Sequence, residues 1–240
     1  MAQRIGTVML RRPPHRPRVA EHWIYLPHGA PPSLAVLAKS FPEGSTERAV
    51  LRHPALHVGL VLRRQNPGPF RPDAGAWLPK LDPEALAALE TSQAMLRLVY
   101  ADRERGGGLN AAANVARTAR GVAERCRALA AFDPFTERLS VAVGAGEGCW
   151  THLRLAEAAG ELRVLGMIKM GYPDLAAAPS GAVGTTAARV VLQRLAEELA
   201  LGHTWRWNGT VASELGDFRF TIRAGRRGLA RVDVEHGRQR

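Results

Sequence analysis

The chain has 240 residues, 46% of them hydrophobic, and a formal net charge of +11. It is long enough to bury a sizeable hydrophobic core, and we expect a single domain over residues 1–240. It contains no run of about 18 uncharged apolar residues and no apolar leader after its basic start, so we expect no membrane segment and a cytoplasmic location.

Prolines are concentrated in the first third of the chain, since twelve of the sixteen lie at or before Pro79. Proline removes a backbone donor and fixes φ, which favours short elements and loops. We expect residues 1–20 to form a flexible segment rich in Arg and Pro, and residues 64–80 to form a Pro-rich connector. The elements predicted between them are a strand at His22–Leu26, a short helix after Ser33, a helix at Thr46–Arg52 and a strand at Leu56–Arg63.

From residue 82 onward the patterns become regular. Apolar residues recur every three or four positions in two long stretches, 109–131 and 185–201, which predicts amphipathic helices. The other predicted elements are a helix at Pro83–Ser92, strands at Met95–Tyr100, Leu139–Val143 and Glu161–Met170, and a terminal hairpin of Phe218–Arg223 with Leu229–Glu235. Strands are unevenly spaced and end in a hairpin. The prediction is therefore an α+β fold with one mixed or antiparallel sheet packed by two long helices.

Five pieces of the chain share a pattern with a known group. They are Leu96–Tyr100, Leu109–Ala131, the Asp133–Thr136 turn, the strand and turn Leu165–Leu175, and Thr185–Leu199. Over residues 95–199 the chain resembles a family of uncharacterised bacterial proteins. The resemblance implies an architecture and no activity.

Cysteine chemistry is one functional possibility. The chain has two cysteines, Cys126 and Cys149, and we expect both to be free thiols, with Cys126 on the apolar stripe of a helix. Cys149 lies in a polar, glycine-rich context three residues before His152. A thiol near an imidazole is the arrangement of a cysteine-dependent hydrolase or transferase, which requires a lowered thiol pKa.

A metal site is an alternative use of the same residues. His53, His57, Cys149 and His152 supply four ligands of the kind that zinc takes. Pro54 interrupts the helix that would place the two histidines on one face, so we favour no metal and no other cofactor.

Two glycine-rich loops follow predicted strands. Gly106, Gly107 and Gly108 precede a helix, where backbone N–H groups can bind an anion. The second loop runs from Gly144 to Gly148. Neither has the spacing of a nucleotide-binding motif, so a connector remains the alternative for the first and a mobile turn for the second.

The positive charge lies mainly at the two ends of the chain. Residues 1–20 contain five arginines and no acid, and residues 217–240 contain seven arginines against three acids. Trp205 and Trp207 precede the basic hairpin, which fits either a single-strand nucleic-acid platform or a pair of core tryptophans. The arginines expected to contact a partner are Arg11, Arg12, Arg16, Arg206, Arg223, Arg226 and Arg227.

These patterns support two functional hypotheses. The first is a non-catalytic binding protein whose basic ends contact an acidic protein or a nucleic acid. The second is the enzyme using Cys149 and His152. No motif defines a reaction or an oligomeric state.

Overall fold

The structure is a computed structural model that describes residues 16–28, 31–71, 83–103, 108–144, 146, 148–179, 181–203, 205–225 and 229–236. Helices and strands are interspersed along it, and the fold is α+β. Within these residues, every helix is too short or too polar to cross a lipid bilayer.

The first sheet has five strands in the order β2-β3-β1-β4-β5, all antiparallel. The N-terminal strand β1 is central and buried on both faces, which suits its apolar residues. Its polar residues Arg18, Glu21 and His22 are buried as well. The strands are β1 (Arg18–Leu26), β2 (Leu56–Leu62), β3 (Ala94–Asp102), β4 (Ala130–Asp133) and β5 (Arg138–Ser140).

The second sheet has six strands in the order β6-β7-β8-β11-β10-β9. Neighbouring strands are antiparallel except for β8 and β11, which are parallel. The predicted C-terminal hairpin is present as β10 and β11. The strands are β6 (Arg154–Ala158), β7 (Glu161–Leu165), β8 (Asp174–Ala177), β9 (Asn208–Ser213), β10 (Gly216–Ala224) and β11 (Leu229–His236).

Each sheet is packed by one of the two predicted long helices. Val115, Ala119 and Val122 are buried on the first long helix, as the periodicity predicts, and Val191, Leu192 and Leu195 are buried on the second. The helices are α1 (Leu34–Lys39), α2 (Thr46–Leu51), α3 (Pro83–Thr91), α4 (Gly108–Arg125), α5 (Cys149–His152) and α6 (Gly181–Ala200), with 3₁₀ helices at Gly68–Phe70 and Met167–Met170.

The single predicted sheet is corrected to two. Strands β6, β8 and β9 were not predicted because they are short and rich in alanine or polar residues, with little β-propensity; pairing with their neighbours makes them strands. The first long helix ends earlier than predicted, since Ala130 and Ala131 belong to β4. The region of Pro-rich sequence at 72–80 lies outside the described residues.

The predicted strand Glu161–Met170 is also shorter in the structure. It ends at Leu165, because Gly166 has a left-handed φ of 92° and the chain then turns through the 3₁₀ helix Met167–Met170. A Cβ at Gly166 would lie 2.7 Å from the backbone oxygen of His152, which explains the glycine. The turn carries Lys169 into the interior.

The chain builds two main hydrophobic cores, one under each sheet. One contains α6 and the second sheet, and the other contains α1, α2, part of α4 and the first sheet. Helix α4 and the 3₁₀ helix Met167–Met170 both contact β1, and they connect the two halves. The polar residues described below lie at this junction.

Candidate functional site

Helix α5 carries both residues of the predicted thiol site. His152 is 2% exposed, and its Nε2 lies 2.9 Å from the backbone oxygen of Gly146. A carbonyl only accepts, so Nε2 carries the hydrogen. In a neutral imidazole the remaining nitrogen, Nδ1, is then an acceptor.

Cys149 lies in a setting that does not activate a thiol. It packs against the core of the second sheet, and burial together with the Glu197 carboxylate raises the pKa of its thiol. In the described part of the chain, no hydrogen bond joins Cys149 to His152. The thiol is therefore protonated at neutral pH and lacks an adjacent base.

The four residues of the zinc alternative do not assemble. His53 packs its ring against Tyr100, with ring centroids 5.3 Å apart, in the first half of the chain. Among the described residues, no three His, Cys, Asp or Glu side chains lie close enough to hold a metal ion.

The predicted anion loop is described only at its last residue, because Gly106 and Gly107 lie outside the described residues. Gly108 begins α4, and a Cβ there would lie 2.8 Å from the Cα of Met170. Close packing of two backbones is a sufficient reason for this glycine.

The predicted partner arginines are only partly described. Arg16 and Arg206 are exposed, while the Nε of Arg223 lies 2.8 Å from the Asp233 carboxylate. Arg11, Arg12, Arg226 and Arg227 lie outside the described residues. On the described strands of the hairpin, Arg219, Arg223 and Arg231 are matched by Asp217, Asp233 and Glu235, so this part of the hairpin is electrically balanced.

The two tryptophans pack on the core. Trp205 is 5% exposed and stacks on Tyr172 with ring centroids 5.8 Å apart, and Trp207 meets it edge to face at 5.6 Å. Trp205 is therefore not available to stack on a base, as the core interpretation of the sequence predicts.

The site with the most unusual chemistry is a cavity of about 340 Å³ at the junction of the two halves. Strands β1, β4 and β5, the loop 142–144 and helix α5 form its walls. Its apolar lining includes Phe132, Leu139 and Val143. Its polar lining, as far as the described residues form it, comprises His22, Asp133, Arg138, Ser140, Thr151 and His152.

Behind the polar wall lies a buried ion pair between Lys169 and Asp133. Lys169 is 2% exposed, and its ammonium donates to the Asp133 carboxylate and, at 3.1 Å, to the backbone oxygen of His152. Burial alone would raise the pKa of Asp133, but the charge of Lys169 and the hydrogen bonds outweigh it and hold that pKa below its usual value. Asp133 is therefore ionised at neutral pH.

His22 is the second buried imidazole of the cavity. It projects from β1, is 5% exposed, and forms no hydrogen bond with any residue in the described ranges. Burial, aided by the Lys169 charge and opposed by Asp133, lowers the pKa of His22 to about 4. His22 is therefore neutral near pH 7, with both ring nitrogens lacking a protein partner among those residues.

The sequence patterns indicate one member of this cluster, His152, and do not single out His22, Asp133 or Lys169 as functional candidates. The signal was a polar residue within an apolar stretch, as at Lys169 between Ile168 and Met170 and at His22 beside Trp23 and Ile24. A lysine in an apolar stretch can be noted on that ground, because Lys is almost never fully buried unless it is paired.

Comparisons with protein families, with curated proteins and with solved structures found no match to this chain. The resemblance over residues 95–199 stays a prediction.

Proposed function

We propose that this chain is a binding protein that holds a small molecule in the cavity at the junction of its two halves. The observation that carries the proposal is His22, a buried imidazole that lines the cavity without a hydrogen bond from any described residue. A buried polar group normally has a partner, so an imidazole facing a cavity without one indicates that a ligand supplies it.

The dimensions and lining of the cavity support this proposal. Its volume lies at the lower end of the range for small-molecule sites, about 300–1,000 Å³. Such sites combine a mostly apolar wall with a few convergent polar groups. Here the apolar wall is formed by Phe132, Leu139 and Val143. The convergent polar groups are the imidazoles of His22 and His152.

Binding is favoured over thiol catalysis by the state of Cys149. Its raised pKa and the absence of a hydrogen bond to His152 argue against a nucleophile. The cysteine-dependent hydrolase or transferase is therefore the weaker proposal.

The proposal is tested by blocking the entrance to the cavity. Ala142 is exposed and lines the cavity, so Ala142→Trp obstructs it with little risk to folding. Ala212→Trp, at an exposed position of β9, is the matched control. A fragment library containing neutral, anionic and cationic members is screened against all three proteins by ligand-observed NMR.

We expect fragments to bind the natural protein and Ala212→Trp equally and to bind Ala142→Trp roughly tenfold more weakly. The proposal is wrong if no fragment of any charge binds at millimolar concentration, or if Ala142→Trp leaves all binding unchanged.

A second proposal retains the basic ends as a surface for an acidic protein or a nucleic acid. The described strands of the hairpin carry equal numbers of arginines and acids, so the charge surplus of the C-terminal region falls on Arg226, Arg227, Arg238 and Arg240. Two of these, Arg226 and Arg227, lie between β10 and β11 in the sequence, outside the described residues. Salt-dependent binding of a single-stranded oligonucleotide measures this activity.

A further inference from the structure

Arg138 places a permanent positive charge at the wall of the cavity, and no ion pair joins it to an acid in the described part of the chain. Its neighbour in sequence, Glu137, pairs with Arg154 at 3.8 Å. Asp133, the acid among the described lining residues, pairs with Lys169. The described groups therefore leave the charge of Arg138 unmatched.

Arg138 also has hydrogen-bonding capacity to spare. A guanidinium has five N–H donors. Its Nη1 donates to the backbone oxygens of Trp150 at 3.2 Å and Thr151 at 3.3 Å, and its Nη2 donates to that of Leu153 at 3.1 Å. One donor on Nε and one on Nη2 remain, with no acceptor among the described residues. Neighbouring donors on a rigid guanidinium can form two parallel hydrogen bonds to a carboxylate.

His22 supplies a further donor from β1. It lines the same cavity, is 5% exposed, and has no hydrogen bond with any described residue. Its neutral ring offers one N–H group, and a carboxylate has about four acceptor positions. A carboxylate in the cavity can therefore accept from His22 as well as from Arg138.

A cationic ligand would find no such partner. Oδ1 of Asp133 accepts from the backbone nitrogens of Phe135 at 3.1 Å and Thr136 at 3.3 Å, and Oδ2 accepts from the Thr136 hydroxyl at 2.8 Å and from Lys169. These bonds fill the acceptor positions of this carboxylate. A cation would meet the charge of Arg138 without a free carboxylate to offset it.

The apolar part of the lining restricts the rest of the ligand. Phe132, Leu139 and Val143 offer surface to a hydrocarbon, and the volume of about 340 Å³ restricts it to a short chain or a small ring.

From these observations we infer that the ligand is a small organic carboxylate. Its carboxylate accepts hydrogen bonds from Arg138 and His22, and its apolar portion lies against Phe132, Leu139 and Val143. The inference rests on the proposed function and specifies the ligand class of the same cavity.

Four probes separate the effects of charge and of the apolar portion. Benzoate, benzamide and benzylamine share a ring and are an anion, a neutral molecule and a cation at neutral pH, while acetate is a carboxylate without the ring. Affinities for the natural protein are measured by NMR titration. We expect benzoate to bind at about 0.1 mM and the other three probes roughly tenfold or more weakly.

Two measurements test the role of Arg138. Benzoate is expected to shift the Nε–H resonance of Arg138 in the natural protein, which requires no variant to fold. Arg138→Met keeps an unbranched stem and removes the charge, so it should abolish the preference for benzoate over benzamide. Arg154→Met is the matched control and should retain that preference, because Arg154 also donates to backbone oxygens but lies outside the described lining of the cavity.

Glu147→Gln tests whether the chain supplies its own counter-charge. Glu147 lies outside the described residues and follows Gly146, whose backbone oxygen accepts from His152. We expect this variant to bind benzoate as the natural protein does. A gain of roughly tenfold in affinity would mean that Glu147 already neutralises Arg138, and the inference would be overturned.

The outcomes distinguish the inference from the proposed function. If benzamide or benzylamine binds as tightly as benzoate and Ala142→Trp excludes it, the cavity binds ligands but the carboxylate class is wrong. The class is also wrong if benzoate leaves the Arg138 resonance unshifted, or if acetate binds as tightly as benzoate. If neither these probes nor any library fragment binds, the proposed function itself fails.

Discussion

At the scale of single residues, His22 connects the cavity to pH. Burial has the largest effect on its pKa, outweighing the charges of Asp133, Lys169, His152 and Glu21. The pKa of His22 is about 4 in the folded protein against 6.5 for an ordinary histidine, so the unfolded chain binds more protons between these values. The contribution of His22 to the free energy of unfolding is full above pH 6.5 and is lost as pH falls towards 4.

We therefore expect acid to destabilise the natural protein more than a His22→Gln variant. Between pH 7 and pH 4 the free energy of unfolding should fall by about 3 kcal/mol more in the natural protein. Urea denaturation of both proteins across this range measures the difference. The exposed His203→Gln variant is the control and should follow the natural protein.

The natural protein is compared with the variant because Asp174, present in both, changes the free energy of unfolding with pH in the opposite direction. Burial raises the pKa of Asp174 to about 6. The contribution of Asp174 to the free energy of unfolding therefore weakens as pH rises from 3.8 to 6. If the free energy of unfolding changed equally with pH in the natural protein and in His22→Gln, a buried neutral imidazole at this position would be contradicted.

Single-residue patterns could not have located this cluster. His22, Asp133, His152 and Lys169 come from β1, β4, α5 and the 3₁₀ helix Met167–Met170, and no local spacing relates them. Their convergence depends on strand pairing between distant segments, such as Trp23 of β1 opposite Phe132 of β4. That pairing is a property of the fold and is not visible in any window of sequence.

At the scale of elements, the long helices were predictable and the short strands were not. The apolar residues of α4 and α6 recur at helical spacing over several turns, and they are buried as that spacing predicts. Strand β8 has four residues, two of them alanine, and gains its conformation from β7 and β11 on either side. Tertiary pairing overrides such weak local preferences.

The contact between α4 and the 3₁₀ helix Met167–Met170 yields a prediction for Gly108→Ala. The new methyl group would lie 2.8 Å from the Cα of Met170, so the two backbones must separate. We expect a loss of about 1–3 kcal/mol in the free energy of unfolding, the usual cost of overpacking. Chemical denaturation measures it.

Gly148→Ala provides a matched control for that substitution. Gly148 has an ordinary φ of −68°, and nothing lies within 4 Å of the Cβ position. Its substitution should cost no more than about 1 kcal/mol, because Gly148 is the N-cap of α5 and alanine is a poorer N-cap than glycine. Equal effects at the two glycines would show that the approach of α4 to Met170 is not close.

At the scale of the whole molecule, the charge of +11 is unevenly distributed. Arg18 forms a buried ion pair with Asp102 at 2.8 Å, and Arg223 pairs with Asp233, so neither is a free cation. The surplus at the C-terminal end falls on arginines outside the described strands. The sequence could therefore locate the charge along the chain but could not separate paired from surplus arginines.

For the second proposal we expect Arg226→Ala combined with Arg227→Ala to weaken binding of a single-stranded oligonucleotide. The slope of log affinity against log salt concentration should fall by roughly one to two, since each lost phosphate contact removes about 0.7. Fluorescence anisotropy at several salt concentrations measures the slope. The control is Arg219→Ala with Arg223→Ala on the balanced strands; an equal or larger effect there would refute a role for Arg226 and Arg227.

The parallel pairing of β8 with β11 has a consequence for biosynthesis. Strand β11 comes last in the described chain but lies inside its sheet, between β8 and β10. On the ribosome, a nascent chain exposes the open edges of both neighbours until residues 229–236 have left the exit tunnel. Translation that stops before this point therefore leaves two unpaired strand edges, which makes the truncated product a substrate for chaperones and proteases.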